Sequence, residues 1–157
     1  EGGQRVPLIV QWQGHLPENV VTDEMAMNID FLPTIIGILD LPIPTDRKID
    51  GKNIFPVFEG GESPHDYLYY TKNSNGQIQG VRNAQYKYHI GSNQAMPIFA
   101  NFGFVRHQKP QLNDLGRDME NHNLIEKYPE IAEELEKVMK DKIEDLDLEN
   151  NKRGWLE

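Results

Sequence analysis

The sequence predicts an architecture that passes from α/β to α+β: the edge of a large α/β domain, followed by a small four-stranded antiparallel sheet packed by a C-terminal helix. Three observations predict it. Val6 to Val10 is short, rich in β-branched residues and nearly continuous in its apolar character, as in a strand covered on both faces. No second run of that kind follows before residue 60, so its sheet neighbours are expected upstream, in a larger parent protein. Beyond Glu59-Gly60-Gly61-Glu62-Ser63-Pro64 the pattern changes to short strand-like runs separated by turn residues, and then to one long amphipathic helix. The expected division is therefore residues 1–60 and residues 61–157.

In order, Gln13 to Asn19 reads as a loop, because Gly, Pro and Asn cluster there and periodicity stops. From Ile29 to Leu39 the apolar residues Phe31, Leu32, Ile35, Ile36 and Leu39 recur at helical spacing. Asp30 stands in the N-cap position, Pro33 lies in the first turn, and Asp40 stands where a left-handed residue often ends a helix. This predicts a short helix with one strongly buried face. Asp50-Gly51-Lys52-Asn53 reads as a turn, and Ile54 to Phe58 as a short apolar segment interrupted by Pro56.

Tyr67 to Thr71, Gln77 to Arg82 and Tyr86 to Ile90 are strand-like and form an expected meander, with turns at Asn75-Gly76 and Asn83-Ala84. The second turn is flawed for a type I′ hairpin, since Ala resists the positive φ required. Gly91 to Pro110 is irregular yet aromatic, which suits a loop that packs on something. Gln111 to Leu115 supplies a fourth strand. Pro129 opens a helix whose residues Ile131, Leu135, Val138, Met139, Lys142 and Leu146 share one face, with Glu133/Lys137 and Glu136/Lys140 as i, i+4 pairs on the other.

Composition excludes several functions. The chain carries 25 acidic against 16 basic residues, a net charge of −9, and has no basic stripe to neutralise phosphates, which argues against nucleic acid as a partner. It has no cysteine, so neither a disulfide nor a thiolate metal site can form within it. No apolar stretch has the length of a membrane span.

Residues that could carry chemistry are sparse. His15, His65, His89, His107 and His122 fall in no H-x-x-x-H or H-x-H spacing, so no metal site is assigned. Ser63 lacks the G-x-S-x-G elbow of an exposed nucleophile, and Gly2-Gly3 and Gly60-Gly61 lack phosphate-loop spacing. No catalytic residue is assigned. The substrate-cleft candidates are His89, at the end of the alternating Tyr-Lys-Tyr-His strand, with Asn93 and His107 at the two ends of the loop that follows. The ordinary alternative for His89 is a strand-end histidine hydrogen-bonded to a backbone carbonyl. Trp12, Trp155 and the Tyr67, Tyr69 and Tyr70 cluster read as packing residues.

Several blocks resemble one family. Glu1-Gly2-Gly3-x-Arg5-Val6-Pro7-Leu8-Ile9-Val10-x-Trp12 is similar to a segment near the middle of sulfatases of the formylglycine-dependent, alkaline-phosphatase-like superfamily. Asp30-x-x-Pro33-Thr34 and Asp50-Gly51 with Pro56 look like its next two blocks. Val81-Arg82-x-x-x-Tyr86-Lys87-x-His89 resembles the C-terminal sheet of the arylsulfatase A-like branch. Leu112-x-Asp114-Leu115, Asp118, Glu120 and Asn123-Leu124 look like the signature before the last helix. Ala84 departs from a common glycine, Asn113 from a common aromatic residue, and Asp118 to Leu124 lacks a proline.

The resemblance implies that the parent protein hydrolyses sulfate esters of the arylsulfatase type, with a formylglycine nucleophile and a divalent cation, usually calcium. Both would lie in a missing N-terminal catalytic domain, since this chain has no C/S-x-P-S-R motif. Residues 1–60 would be the edge of the large domain and residues 61–157 the C-terminal subdomain, with Asp30 and Asp50 structural. The implied substrate is a sulfated small molecule or glycan, and the implied compartment periplasmic, secreted or lysosomal. The chain alone is expected to be inactive. The alternatives are a phosphonate or phosphate ester hydrolase of the same superfamily and a stand-alone, non-enzymatic interaction module.

Overall fold

A computed structural model of the chain describes residues 4–46, 48–71, 76–91, 109–117 and 120–146. They divide between two compact units, Glu1–Leu68 and Tyr69–Glu157.

In the first unit a single 3₁₀ turn, Asn28–Asp30, runs into helix α1, Phe31–Ile38. The expected N-cap role of Asp30 needs correcting. Its backbone is already helical, at φ −76° and ψ −18°, and its side chain makes no cap bond to α1, because a capping residue must stand outside the helical region for its oxygen to reach the next amides. The carboxylate instead accepts the Met27 N–H at 2.7 Å and closes the preceding turn.

Asp40 ends the helix as expected, at φ +50°. The Leu41 N–H donates to Ile36 O at 3.0 Å and the Asp40 N–H to Gly37 O at 3.2 Å, the paired bonds of a Schellman motif.

Two apolar surfaces of this unit find no cover among the described residues. Val6 to Val10 joins no ladder among the described residues, and Val6 and Ile9 are 75% and 91% exposed. A strand exists only through its partners' hydrogen bonds, and no described segment supplies them. The expected buried face of α1 is likewise open: Phe31, Leu32, Ile35 and Leu39 are exposed, while Pro33 and Thr34 are buried. The buried apolar residues of this unit are few, chiefly Met25, Ile54 and Val57. Pro56 does not break its segment but sits in the first turn of a one-turn helix, α2, Phe55–Phe58, where its missing N–H costs nothing.

The second unit is built on strands β1 (Leu68–Thr71), β2 (Ile78–Arg82), β3 (Tyr86–His89) and β4 (Gln111–Asp114), in the spatial order β1-β2-β3-β4. The β2/β3 and β3/β4 pairs are antiparallel, with Val81 opposite Tyr88 and Tyr88 opposite Leu112. Helix α3, Pro129–Leu146, lies on β2 and β3 and buries Ala132, Leu135 and Met139. Val81, Tyr88 and Leu112 are buried in the same unit. Glu136 and Lys140 form the expected surface pair at 3.0 Å.

The β2–β3 turn falls one residue later than expected. The Asn83 N–H donates to Tyr86 O at 3.0 Å, so Ala84 and Gln85 are the central pair, and neither takes a positive φ. The Asn83 side chain makes the turn, Oδ1 accepting the Gln85 and Tyr86 amides at 2.9 and 2.7 Å. This side-chain mimic of a backbone turn spares Ala84 the left-handed geometry.

Candidate functional site

Strand β3 carries the candidate chemistry by simple alternation, since successive side chains of a strand point to opposite faces. Tyr86 and Tyr88 face α3: Tyr88 is hydrogen-bonded to Glu136, and the Tyr86 ring lies 6.2 Å from that of Tyr128. Lys87 and His89 occupy the other face. Burial, and then the charge and hydrogen bond of Glu136, push the Tyr88 phenol above its ordinary value, because each of these favours the neutral form.

His89 is half-buried, and its Nδ1 accepts the Gly91 N–H at 2.9 Å. A neutral ring held this way carries its proton on Nε2. Opposite it in the ladder stands Gly80. A methyl group there would lie 3.0 Å from Tyr88 O and 3.3 Å from His89 Cδ2, so the absence of a side chain makes room for the imidazole. The strand-end histidine thus accepts from a backbone amide. Asn93 and His107, the other two cleft candidates, lie outside the described residues.

Lys87, two residues earlier on the same face, is nearly fully buried. Its Nζ lies 2.7 Å from Glu120 Oε1 and 4.2 Å over the centroid of the Tyr70 ring. Burial raises the Glu120 carboxyl, and the hydrogen bond and charge of Lys87 are among the causes that together bring it below its usual range. Glu120 adopts φ +73°, a left-handed conformation costly for a non-glycine residue. Asn113, which replaces an expected aromatic residue, is buried and satisfied through its Nδ2, which donates to His122 O at 2.9 Å. Asn123 docks the same connection onto β4, accepting the Leu112 N–H at 3.0 Å and donating to Pro110 O at 3.0 Å.

The first unit contains a polar centre that sequence reasoning missed. Asp30 is completely buried, and besides Met27 its carboxylate accepts the Lys52 N–H at 2.8 Å and meets His65 Nε2 at 2.9 Å. The Thr34 hydroxyl donates to Asp30 O at 2.6 Å and accepts the buried Ile54 N–H at 3.0 Å. Gly51 permits this: a methyl group there would lie 2.1 Å from Ile29 O. His65 had been passed over because it has no periodic or motif context; the only signal was the co-occurrence of Asp30, Asp50-Gly51 and a following buried polar residue.

These centres hold the backbone. Among the described residues, no group of three or more His, Asp or Glu could hold a metal ion. Asp30 is committed to two amides and an imidazole, and so does not fit a calcium ligand set. No helix among them is long and apolar enough to cross a membrane.

Comparison with known proteins supplies the context. Human arylsulfatase A is 33% identical over 138 residues, covering 80% of this chain and 27% of that protein. Human arylsulfatase G is 27% identical over 160 residues, covering 96% and 30%. The chain therefore spans under a third of these relatives. Among solved structures, a protein from work on glycosaminoglycan metabolism by Bacteroides thetaiotaomicron aligns with a TM-score of 0.57 at 22% identity, over 71% of this chain and 24% of that one. A second, solved in complex with its substrate D-glucosamine-2-N,6-O-disulfate, aligns with a TM-score of 0.53 at 22% identity, over 80% and 25%. These two establish likeness of fold. The family model for the C-terminal region of N-sulphoglucosamine sulphohydrolase matches residues 1–149, and the chain belongs to that sulfatase C-terminal family.

Proposed function

We propose that the protein to which these residues belong hydrolyses sulfate esters of the arylsulfatase type. The observation that carries this reading is the family match over residues 1–149, supported by arylsulfatase relatives of which this chain corresponds to under a third. In this reading residues 1–60 are the edge of the large α/β domain, and residues 61–157 are the small C-terminal subdomain. The remaining partner is an N-terminal catalytic domain that carries the formylglycine nucleophile and the calcium ion. Both groups would lie in that domain.

The chain's own contribution is shape. The face of β3 that bears His89 forms a wall of the substrate cleft, with Asn93 and His107. His89 stands on that face with its Nδ1 accepting the Gly91 N–H at 2.9 Å. The substrate is a sulfated small molecule or glycan.

The test is to express the full-length protein from its gene and to measure turnover of 4-nitrophenyl sulfate beside 4-nitrophenyl phosphate and a phosphonate ester. Sulfate ester hydrolysis by the full-length protein, and none by the 157-residue chain, is the expected result. Preference for the phosphate or phosphonate ester, or a gene whose start codon immediately precedes Glu1, overturns the reading.

A further inference from the structure

Near the end of the first unit, Glu59-Gly60-Gly61-Glu62-Ser63-Pro64 has the composition of a free linker, yet it is tied down along its length. The Gly60 N–H donates to Val57 O at 3.1 Å and the Gly61 N–H to Pro56 O at 2.8 Å. The Ser63 N–H donates to Glu24 Oε2 at 2.8 Å, and its hydroxyl donates to Met25 O at 2.5 Å while accepting the His65 N–H at 3.1 Å. The Lys52 ammonium donates to Pro64 O at 2.6 Å. The series ends at the His65 ring, buried against the fully buried Asp30 carboxylate at 2.9 Å.

We propose that Ser63-Pro64-His65 is a clamp that fastens this connection to the Asp30 centre, so that the chain is rigid through His65 and any hinge is confined to Asp66 and Tyr67. Two features distinguish it from an incidental surface contact. The anchor is a hydrogen bond out of solvent, the kind whose loss leaves a buried group unsatisfied. The serine hydroxyl is used twice, once as donor and once as acceptor, which fixes its rotamer and aims the next two residues at the anchor. Gly61, which would otherwise supply flexibility, is spent on packing: a methyl group there would meet Pro56 O at 2.9 Å. This inference is independent of the ester hydrolysed.

The experiment is limited proteolysis of the chain with a Glu-specific endoprotease, following the cut after Glu62, beside amide hydrogen exchange. Cleavage needs the surrounding residues to leave their folded positions, so its rate reports local opening. The wild-type bond is expected to be cut at least about tenfold more slowly than in a free peptide of residues 57–68, with Ser63→Ala and His65→Ala each removing about tenfold of that protection. In both variants the Ile54 amide, bonded to Thr34, stays protected, which separates release of the clamp from unfolding of the unit. Wild-type cleavage as fast as the free peptide overturns the proposal. So does a Ser63→Ala variant, with Ile54 still protected, that is cut at the wild-type rate. Should His65→Ala unfold the unit, the Ser63→Ala and wild-type comparisons decide.

Discussion

The ammonium of Lys87 is held between the Glu120 carboxylate, 2.7 Å away, and the face of the Tyr70 ring, 4.2 Å from its centroid. A folded-state carboxyl held below its unfolded value of 4.5 adds stability that is present above that pH and is lost as pH falls through the lowered folded value. Glu120→Gln is expected to cost about 1–3 kcal/mol at neutral pH by leaving the buried ammonium underpaired, and to flatten the acid limb of the stability curve. Urea unfolding of both forms between neutral pH and pH 3 checks this; parallel acid limbs would refute it.

Tyr88 predicts the opposite limb. Its phenol is raised above 10.0 in the folded chain, so the stability it supplies is complete below that pH and declines as pH rises through the folded value. Tyr88→Phe should cost about 1 kcal/mol at neutral pH, for one hydrogen bond to Glu136, and should remove part of the alkaline destabilisation seen in thermal melts.

Gly51→Ala should disrupt the Asp30 centre, because the new methyl group would lie 2.1 Å from Ile29 O, whereas at Gly116 the nearest contact is 3.5 Å. A loss of about 1–3 kcal/mol is expected for Gly51→Ala and little for Gly116→Ala. Hydrogen exchange of the Lys52 and Ile54 amides is the local readout.

Asp40→Gly should stabilise the first unit by about 0.5–1 kcal/mol, since a glycine at the +50° position ends the helix without strain on a β-carbon. A fall in the α1 amide exchange rates without change in α3 is the expected pattern.

In the full-length protein, His89→Ala should raise KM for a sulfate ester more than it lowers kcat, as for a residue that binds substrate without taking part in bond making. Gly80→Ala, which crowds the same ring at 3.3 Å, should give a milder version of the same split. A fall in kcat alone would remove His89 from the cleft wall.

How far the sequence could be read depended on where each element's partners lie. The four strands of the second unit and its helix stand within a residue of the expected bounds, because their periodicity and turn residues are local and their mates are present. Val6 to Val10 has the composition of a doubly covered strand but no ladder among the described residues; composition states what a segment requires, not whether it is there. The apolar face of α1 is open in the same way. Asp30 was misread because its third partner, His65, is 35 residues away, and no local spacing encodes such a pair. Asn83 was misread because a side chain, not a glycine, bends the chain. Most of the Gly91 to Pro110 loop, residues 92–108 with Asn93 and His107, lies outside the described residues.

The alternation of Tyr86, Lys87, Tyr88 and His89 has a consequence for how such chains can change in length. Each odd step of β3 belongs to one surface and each even step to the other, so inserting a single residue within the strand would drive an ammonium under α3 and turn a phenol outward. Two residues inserted together would restore the assignment. Length variation in β3 is therefore restricted by parity, while the turns on either side escape that rule, and homologous strands are expected to differ by even numbers or not at all.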